Sequence, residues 1–387
     1  MFKSAVMKIL GRLALAFFVK QKKIDAAGLK TMLVNRADRL GDAIISLPLL
    51  LELDKRFDVT VLTSQYNDFL LRDFLKTRII VDKPPSTSGF IKRIFAHLIS
   101  YGYLRRNKNV TPRYDIYLDL IGIRGLSTFL QVRKENLCRY YIGFNISIWN
   151  LLLDYSFRAS VELSKMSVTA AAQTLIKESM DIDLDAPDYI DLTSKMVAPS
   201  DVNVKAPYIL VNIGGFDKFR GPSPQMYARL INSLEFKGTV VIMDELNQPN
   251  VNEFRRYIEK KNIVYLEKDY SIWELMYISK HALVYIGSNS GITNILQVPT
   301  HCVIFFATTT TTVWNPFSKN PYQAKKVGRM TVEEATTSAG LMKKIIYRPV
   351  WCRPCFDIGC RGYRCIKDMD MQAIASEITS FLHNSNR

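Results

Sequence analysis

Long apolar runs are missing from this chain. The run near its start, Leu13 to Val19, is followed by Lys20, Gln21, Lys22 and Lys23 rather than by small residues. It is too short to cross a bilayer and carries the wrong flank for a cleaved export signal, so export is not expected. Cysteine is scarce, 6 in 387 residues, and four of the six crowd the C-terminus while Cys138 and Cys302 stand alone in apolar or strand-like contexts. That usage suits a reducing compartment better than a disulfide framework. No fixed-period repeat is present, which excludes a solenoid. Acid is absent from two stretches: Lys3, Lys8, Arg12, Lys20, Lys22 and Lys23 all precede the first acid, Asp25, and Lys83 to Tyr114 holds seven Lys or Arg and no acid.

What is present is a globular composition, 48% hydrophobic and 23% charged, with apolar surface to bury and charge for solubility. At 387 residues the chain exceeds one typical core and implies two domains plus appendages. A net charge of +16 predicts attraction to a polyanion, whether nucleic acid, anionic lipid or phosphorylated glycan. On a helical wheel Ser4, Lys8, Gly11 and Arg12 share one side and Phe2, Ile9, Leu10, Leu13 and Phe17 the other. This fits an interfacial helix or one packed on the domain.

Strands alternate with helices. Thr31 to Asn35 (TMLVN) is a buried-type strand, Arg36 to Asp42 a turn and Ala43 to Phe57 a helix, followed by strands Val59 to Thr63 and Ile116 to Leu120. After the polar, proline-containing stretch Asp191 to Pro207, the rhythm restarts with Tyr208 to Ile213, Thr239 to Met243, Ile263 to Leu266, Ala282 to Ile286 and Cys302 to Phe306. The pattern predicts an α/β chain with two Rossmann-like, doubly wound domains. The expected divisions are a basic amphipathic helix over 1–24, an N-terminal domain over 25–195, a C-terminal domain over 206–350, and a cysteine cluster with a final helix over 351–387.

Ligands of open α/β sheets bind beyond the carboxyl ends of the strands. Three loops there carry chemistry. The first runs Ala37-Asp38-Arg39-Leu40-Gly41-Asp42, where Asp42 suits either a stabilising carboxylate at a helix start or a general base for an acceptor hydroxyl. The second, Gly214-Gly215-Phe216-Asp217-Lys218-Phe219-Arg220, permits close backbone approach and offers two cations to a diphosphate; an ordinary tight turn is the alternative. The third, Gly287-Ser288-Asn289-Ser290-Gly291, precedes a helix and suits an anion at its N–H groups or a plain N-cap.

These residues resemble the heptosyltransferases of glycosyltransferase family 9. Thr31 to Leu50, with Arg36, Gly41, Asp42 and Pro48, is similar to the family's opening motif. Tyr114 to Leu120, Tyr141 to Phe144, Val211 to Leu230, Ala282 to Pro299 and Phe305 to Pro316 resemble its later elements, so the likeness spans nearly the whole chain except the N-terminal helix and residues 83–113. The resemblance implies a GT-B fold, two Rossmann-like domains facing a cleft, with acceptor on the first and sugar nucleotide on the second. It implies inversion without a bound metal, Asp42 as base, and ADP-heptose or another sugar nucleotide as donor. Lys218 or Arg220, with N–H groups near Ser290 and Gly291, would hold the leaving diphosphate. Gly214, Gly215, Asn289 and Asn294 complete the donor set, and Arg36, Arg39 and Gly41 face the acceptor, a lipopolysaccharide core or lipid-linked glycan. The implied location is cytoplasmic, peripheral on the anionic inner face of the bacterial inner membrane. Two departures bear on the donor. The family's Asp-Thr-Gly-x-x-His is Asn289-Ser290-Gly291-Ile292-Thr293-Asn294 here, and its Lys-Arg-Trp-Pro is Phe219-Arg220-Gly221-Pro222.

Cys352, Cys355, Cys360 and Cys365 have compact thiolate spacing that can hold one structural zinc, with unligated thiols as the alternative. Four thiolates would close the coordination shell and leave such a zinc no catalytic role; the resemblance implies that no cofactor is required for catalysis. The spacing also resembles a nucleic-acid-binding zinc knuckle, with Cys360 where that motif has His, and Phe356 and Tyr363 available for stacking. Nucleic acid ranks last as a partner, because it leaves both Rossmann-like domains unexplained. Lys92, Arg93, Arg105 and Arg106 lie among Phe90, Phe95, Tyr101 and Tyr103. They suit a solvated segment with anchoring aromatics, or recognition of acceptor carboxylates and phosphates. A catalytically silent sugar-nucleotide-binding protein is a further reading.

Overall fold

The computed structural model describes residues 22–36, 39–82, 113–120, 129, 132–133, 135–144, 153–157, 166–187, 189–202, 204, 206–213, 221–243, 248–307, 311, 322–352 and 363–385. The chain divides into two compact units, Met1–Tyr189 and Ile190–Arg387. Both are doubly wound α/β units, as in GT-B folds.

The first unit contains β1 (Thr31–Arg36), α1 (Leu40–Asp54), β2 (Asp58–Ser64), α2 (Asp68–Phe74), β3 (Arg78–Asp82), β4 (Tyr114–Asp119), β5 (Cys138–Phe144), β6 (Tyr155–Phe157) and α3 (Val168–Met180). Its six strands run in the order β3-β2-β1-β4-β5-β6, and every pairing is parallel. Five of the six β1 residues are buried, as a central parallel strand covered on both faces requires. Helix α1 buries Ala43, Ile44, Ile45, Leu47, Leu49, Leu50 and Leu53. Helix α3 starts at Ser167, whose side chain accepts from the Ala170 N–H, and is tied to α1 where Thr169 Oγ1 donates to the Ile45 carbonyl at 2.6 Å.

The second unit contains β7 (Tyr208–Asn212), α4 (Pro224–Ser233), β8 (Thr239–Met243), α5 (Gln248–Arg255), β9 (Ile263–Leu266), α6 (Ile272–Lys280), β10 (Val284–Ser288), α7 (Gly291–Leu296), β11 (Cys302–Phe305), β12 (Gln323–Val327), β13 (Met330–Thr336), β14 (Met342–Tyr347), α8 (Arg364–Lys367) and α9 (Met371–Ser385). The sheet order is β12-β13-β14-β11-β10-β7-β8-β9. From β14 to β9 the pairings are parallel, while β12, β13 and β14 form an antiparallel edge. Gly328 and Gly340, at φ +57° and +76°, make the two turns of that edge, where an L side chain would be strained.

This edge is absent from the sequence-based expectation because its strands carry Lys325, Lys326, Glu333, Glu334, Lys343 and Lys344. Lys343 and Lys344 are nonetheless buried. Lys344 pairs with Glu334 at 2.7 Å and with Glu377 of α9, so the charge of a buried lysine is matched. Helix α9 is integral to the second unit: Ile374, Ala375, Ile378, Phe381 and Leu382 share one core with Val211, Tyr227, Val240 and Ile286. No helix among the described residues is long and apolar enough to cross a membrane.

Both sheets reverse winding direction at one place, between β1 and β4 in the first unit and between β7 and β10 in the second. Neighbouring loops diverge at such a point and leave a crevice at the strand carboxyl ends. The chemistry-bearing loops after β1, β7 and β10 all leave from these two points.

Candidate active site

At the first crevice, β1 ends in Arg36, which is 1% exposed. Its Nη1 donates to the Leu120 carbonyl just past β4 at 2.7 Å, and Nη2 lies 3.8 Å from Asp42 Oδ1. The helix begins earlier than the sequence pattern indicates. Arg39 is its N-cap, extended and without a side-chain cap bond, so Gly41 and Asp42 fall inside the first turn. Asp42 is therefore not the N-cap itself but a first-turn carboxylate. Its backbone N–H reaches Arg39 O at 3.0 Å, Ser46 Oγ donates to its carbonyl at 2.9 Å, and the carboxylate lies beside the positive end of the helix and the Arg36 guanidinium. Asp42 is 6% exposed. Arg39 is exposed and Gly41 buried.

Asn35 Nδ2 donates to the Tyr117 hydroxyl at 2.8 Å, with both residues fully buried. Burial, and then the neighbouring Asp119 carboxylate, raise the Tyr117 phenol well above its ordinary value despite the Asn35 bond. Tyr117 thus stays a neutral hydroxyl within the core of the first unit.

A polar network closes the second crevice. The Tyr285 hydroxyl contacts Thr293 Oγ1 at 2.9 Å and also bonds the Asn212 side chain at the end of β7. Thr293 Oγ1 donates to the Ser288 carbonyl at 2.7 Å and lies 2.9 Å from Ser290 Oγ. Ser290 is the N-cap of α7, its side chain accepting from the Thr293 N–H at 3.4 Å. Its hydroxyl is thereby engaged in holding the loop. The Tyr227 hydroxyl and Ser288 Oγ lie 2.7 Å apart. Burial lifts the phenols of Tyr227 and Tyr285 far above their usual range, so both act only as hydrogen-bonding groups.

Gly221 joins two of the loops named from the sequence. A Cβ built on it would meet Ser288 Oγ at 1.7 Å. The chain leaving the Gly214 to Arg220 loop is thus pressed against the first residue of the Ser288 to Gly291 loop. Asn289 bonds the Phe305 carbonyl through its N–H at 3.0 Å, and Asn294, 4% exposed, accepts from Gln297 Nε2 at 3.2 Å.

Several expected residues lie outside the described ones: the N-terminal helix up to residue 21, Lys92, Arg93, Arg105, Arg106, Gly214, Gly215, Lys218, Arg220, Cys355 and Cys360. Of the remaining cysteines, Cys352 is exposed and Cys365 is buried beside Ala307 and Ile366. No group of three or more His, Cys, Asp or Glu suited to a metal occurs among the described residues. Sequence reading passed over Tyr117, Asn212, Tyr227, Tyr285 and Thr293. Tyr285 lies in an apolar strand and Tyr227 in an amphipathic helix, where an aromatic reads as core, and only the fold turns their hydroxyls toward one loop.

No protein-family model and no curated protein matches this sequence. The fold recurs in solved structures. E. coli ADP-heptose lipopolysaccharide heptosyltransferase II aligns over 92% of this chain and 100% of its own, with TM-score 0.57 and 13% identity. E. coli heptosyltransferase WaaC with ADP aligns over 92% and 99%, with TM-score 0.56 and 10% identity. The iron-containing heptosyltransferase TibC of enterotoxigenic E. coli, solved with ADP-D-beta-D-heptose, aligns over 94% and 78%, with TM-score 0.51 and 11% identity. At these identities the likeness is one of fold.

Proposed function

We propose that this chain is an inverting glycosyltransferase that moves heptose from ADP-heptose to a lipopolysaccharide inner-core acceptor. The observation that carries the reading is Asp42, a carboxylate fixed at the winding reversal of the first sheet in a chain whose fold is that of heptosyltransferase II over that protein's full length.

Asp42 takes the proton of the acceptor hydroxyl as the oxygen forms its bond to C1 of the sugar. The bond from C1 to the diphosphate breaks on the opposite face, and ADP leaves with the electron pair, inverting C1. Lys218 or Arg220 and the N–H groups near Ser290 and Gly291 take the charge developing on the diphosphate, a role that calls on no metal. Gly214, Gly215, Asn289 and Asn294 line the donor, while Arg39, Gly41 and the basic segment holding Lys92, Arg93, Arg105 and Arg106 meet the phosphates and carboxylates of the acceptor. With its net charge of +16 the protein works at the cytoplasmic face of an anionic membrane. The cysteines at 352, 355, 360 and 365 hold a structural metal, zinc by their thiolate chemistry.

One observation favours a second donor. Asn289 and Asn294 are amides where the resembled family has an acid and an imidazole, and Asn294 already spends its oxygen on Gln297. A related sugar nucleotide is the alternative to ADP-heptose.

The test is incubation with a panel of sugar nucleotides and truncated core acceptors, read by mass. Gain of one heptose from ADP-heptose is the expected result. Asp42→Asn should cut kcat by about 100-fold or more while donor binding survives. Transfer from a different donor would redirect the substrate, and equal rates for wild type and variant would remove Asp42 as base. Binding of ADP-sugar without any transfer would leave the silent binder.

A further inference from the structure

We infer that Arg36 is a positioning residue that holds Asp42 in its working orientation and does not touch the acceptor. This rests on Asp42 being the base.

Arg36 is among the largest fully buried side chains of the protein, at 1% exposure. A guanidinium stays charged even in a protein interior, so its burial must be offset by fixed partners. Two of these define its direction. Nη1 is anchored on the Leu120 carbonyl at 2.7 Å, and Nη2 faces Asp42 Oδ1 at 3.8 Å. The fork therefore spans from the end of β4 to the first turn of α1. The strand behind it is also fixed, since the Arg36 carbonyl accepts from Thr63 Oγ1 at 3.5 Å and β1 pairs with β2 and β4 on its two sides.

Such a planar fork has few ways to move once both ends are engaged. Its effect on Asp42 is directional: one carboxylate oxygen faces the guanidinium, which fixes how the carboxylate is presented to an incoming hydroxyl. With so little of Arg36 reachable from solvent, an acceptor has no face of it to bind. Lysine keeps the charge at this position but, as a single point on a flexible stem, cannot engage Leu120 and Asp42 in the same geometry.

The experiment compares wild type, Arg36→Lys, Arg36→Met, Asp42→Asn and Arg36→Lys/Asp42→Asn by steady-state kinetics with ADP-heptose and a heptose-free core acceptor, each variant checked by thermal melt. The expected result is a fall in kcat of about 10-fold for Arg36→Lys and about 100-fold for Arg36→Met, the scale of a misplaced reacting group, with KM for both substrates within about twofold. In the Asp42→Asn background, Arg36→Lys should change the residual rate by less than about twofold, because both act as one unit. If Arg36→Met fails to fold, Arg36→Lys and the double variant decide alone. A raised acceptor KM at unchanged kcat makes Arg36 an acceptor ligand and overturns the inference. So does a further 10-fold loss in the double variant. If wild type transfers from another sugar nucleotide, the same comparison runs with that donor; if it transfers from none, the base assignment and the inference fall together.

Discussion

Replacing Gly221 by alanine tests whether two loops meet at the second crevice. The added Cβ would lie 1.7 Å from Ser288 Oγ and 2.5 Å from Ser288 Cβ. Rotating the serine hydroxyl away relieves only the first contact, so the backbone must shift as well. Overpacking of this kind costs about 1–3 kcal/mol. Turning Ser288 Oγ also breaks its 2.7 Å contact with the Tyr227 hydroxyl, which is fully buried against Phe305. A buried hydroxyl left without its partner adds about 1–3 kcal/mol. The sum is about 2–6 kcal/mol, or about 4–24 °C in Tm at the 2–4 °C per kcal/mol typical of a domain this size. Urea unfolding should show the midpoint falling at constant m-value. In a Ser288→Gly background, which removes the opposing side chain, adding Gly221→Ala should cost less than about 1 kcal/mol. A single variant within about 0.5 kcal/mol of wild type, or full destabilisation persisting without the serine side chain, would refute the contact.

His301 should make the second unit acid-sensitive. Its Nδ1 accepts from the Met342 N–H at 3.0 Å and must be unprotonated to do so. Burial, then the charge of Lys343, hold its pKa below the ordinary 6.5. The unfolded chain therefore binds the proton first, so the stabilisation is whole above pH 6.5 and is lost as pH falls toward the lower folded value. Denaturant midpoints between pH 7.5 and 5 should decline more steeply for wild type than for His301→Gln, whose amide oxygen can keep the bond. Parallel slopes would remove His301 from the account. Elemental analysis of the purified protein should find one metal per chain, lost in Cys352→Ser or Cys365→Ser, with zinc expected; iron would change the metal, and none would leave four plain thiols.

Much of the fold was legible because its cause is local. Runs such as TMLVN and TVVIM are apolar throughout, and a strand that tolerates that must be covered on both faces, so a parallel sheet with helices on either side follows from composition alone. The β12 to β14 edge was not legible for the opposite reason. Its lysines read as solvent-exposed, and only partners distant in sequence, such as Glu377 for Lys344, make their burial tolerable.

The site divides in the same way. Sequence by itself placed Asp42 after β1, put small polar residues after β10, and tied both to strand ends where ligands bind. It left both capping and catalysis open for Asp42, since both call for a carboxylate at a helix start. Strand order supplied the neighbours that surround it. By setting β4 beside β1, it brought the Leu120 carbonyl to Arg36 and let one guanidinium reach Asp42. By setting β10 beside β7, it turned the hydroxyls of Tyr227, Tyr285 and Thr293 toward the Ser288 to Ser290 loop. Periodicity shows which face of a strand is buried. Which neighbour waits on that face is a property of the assembled sheet.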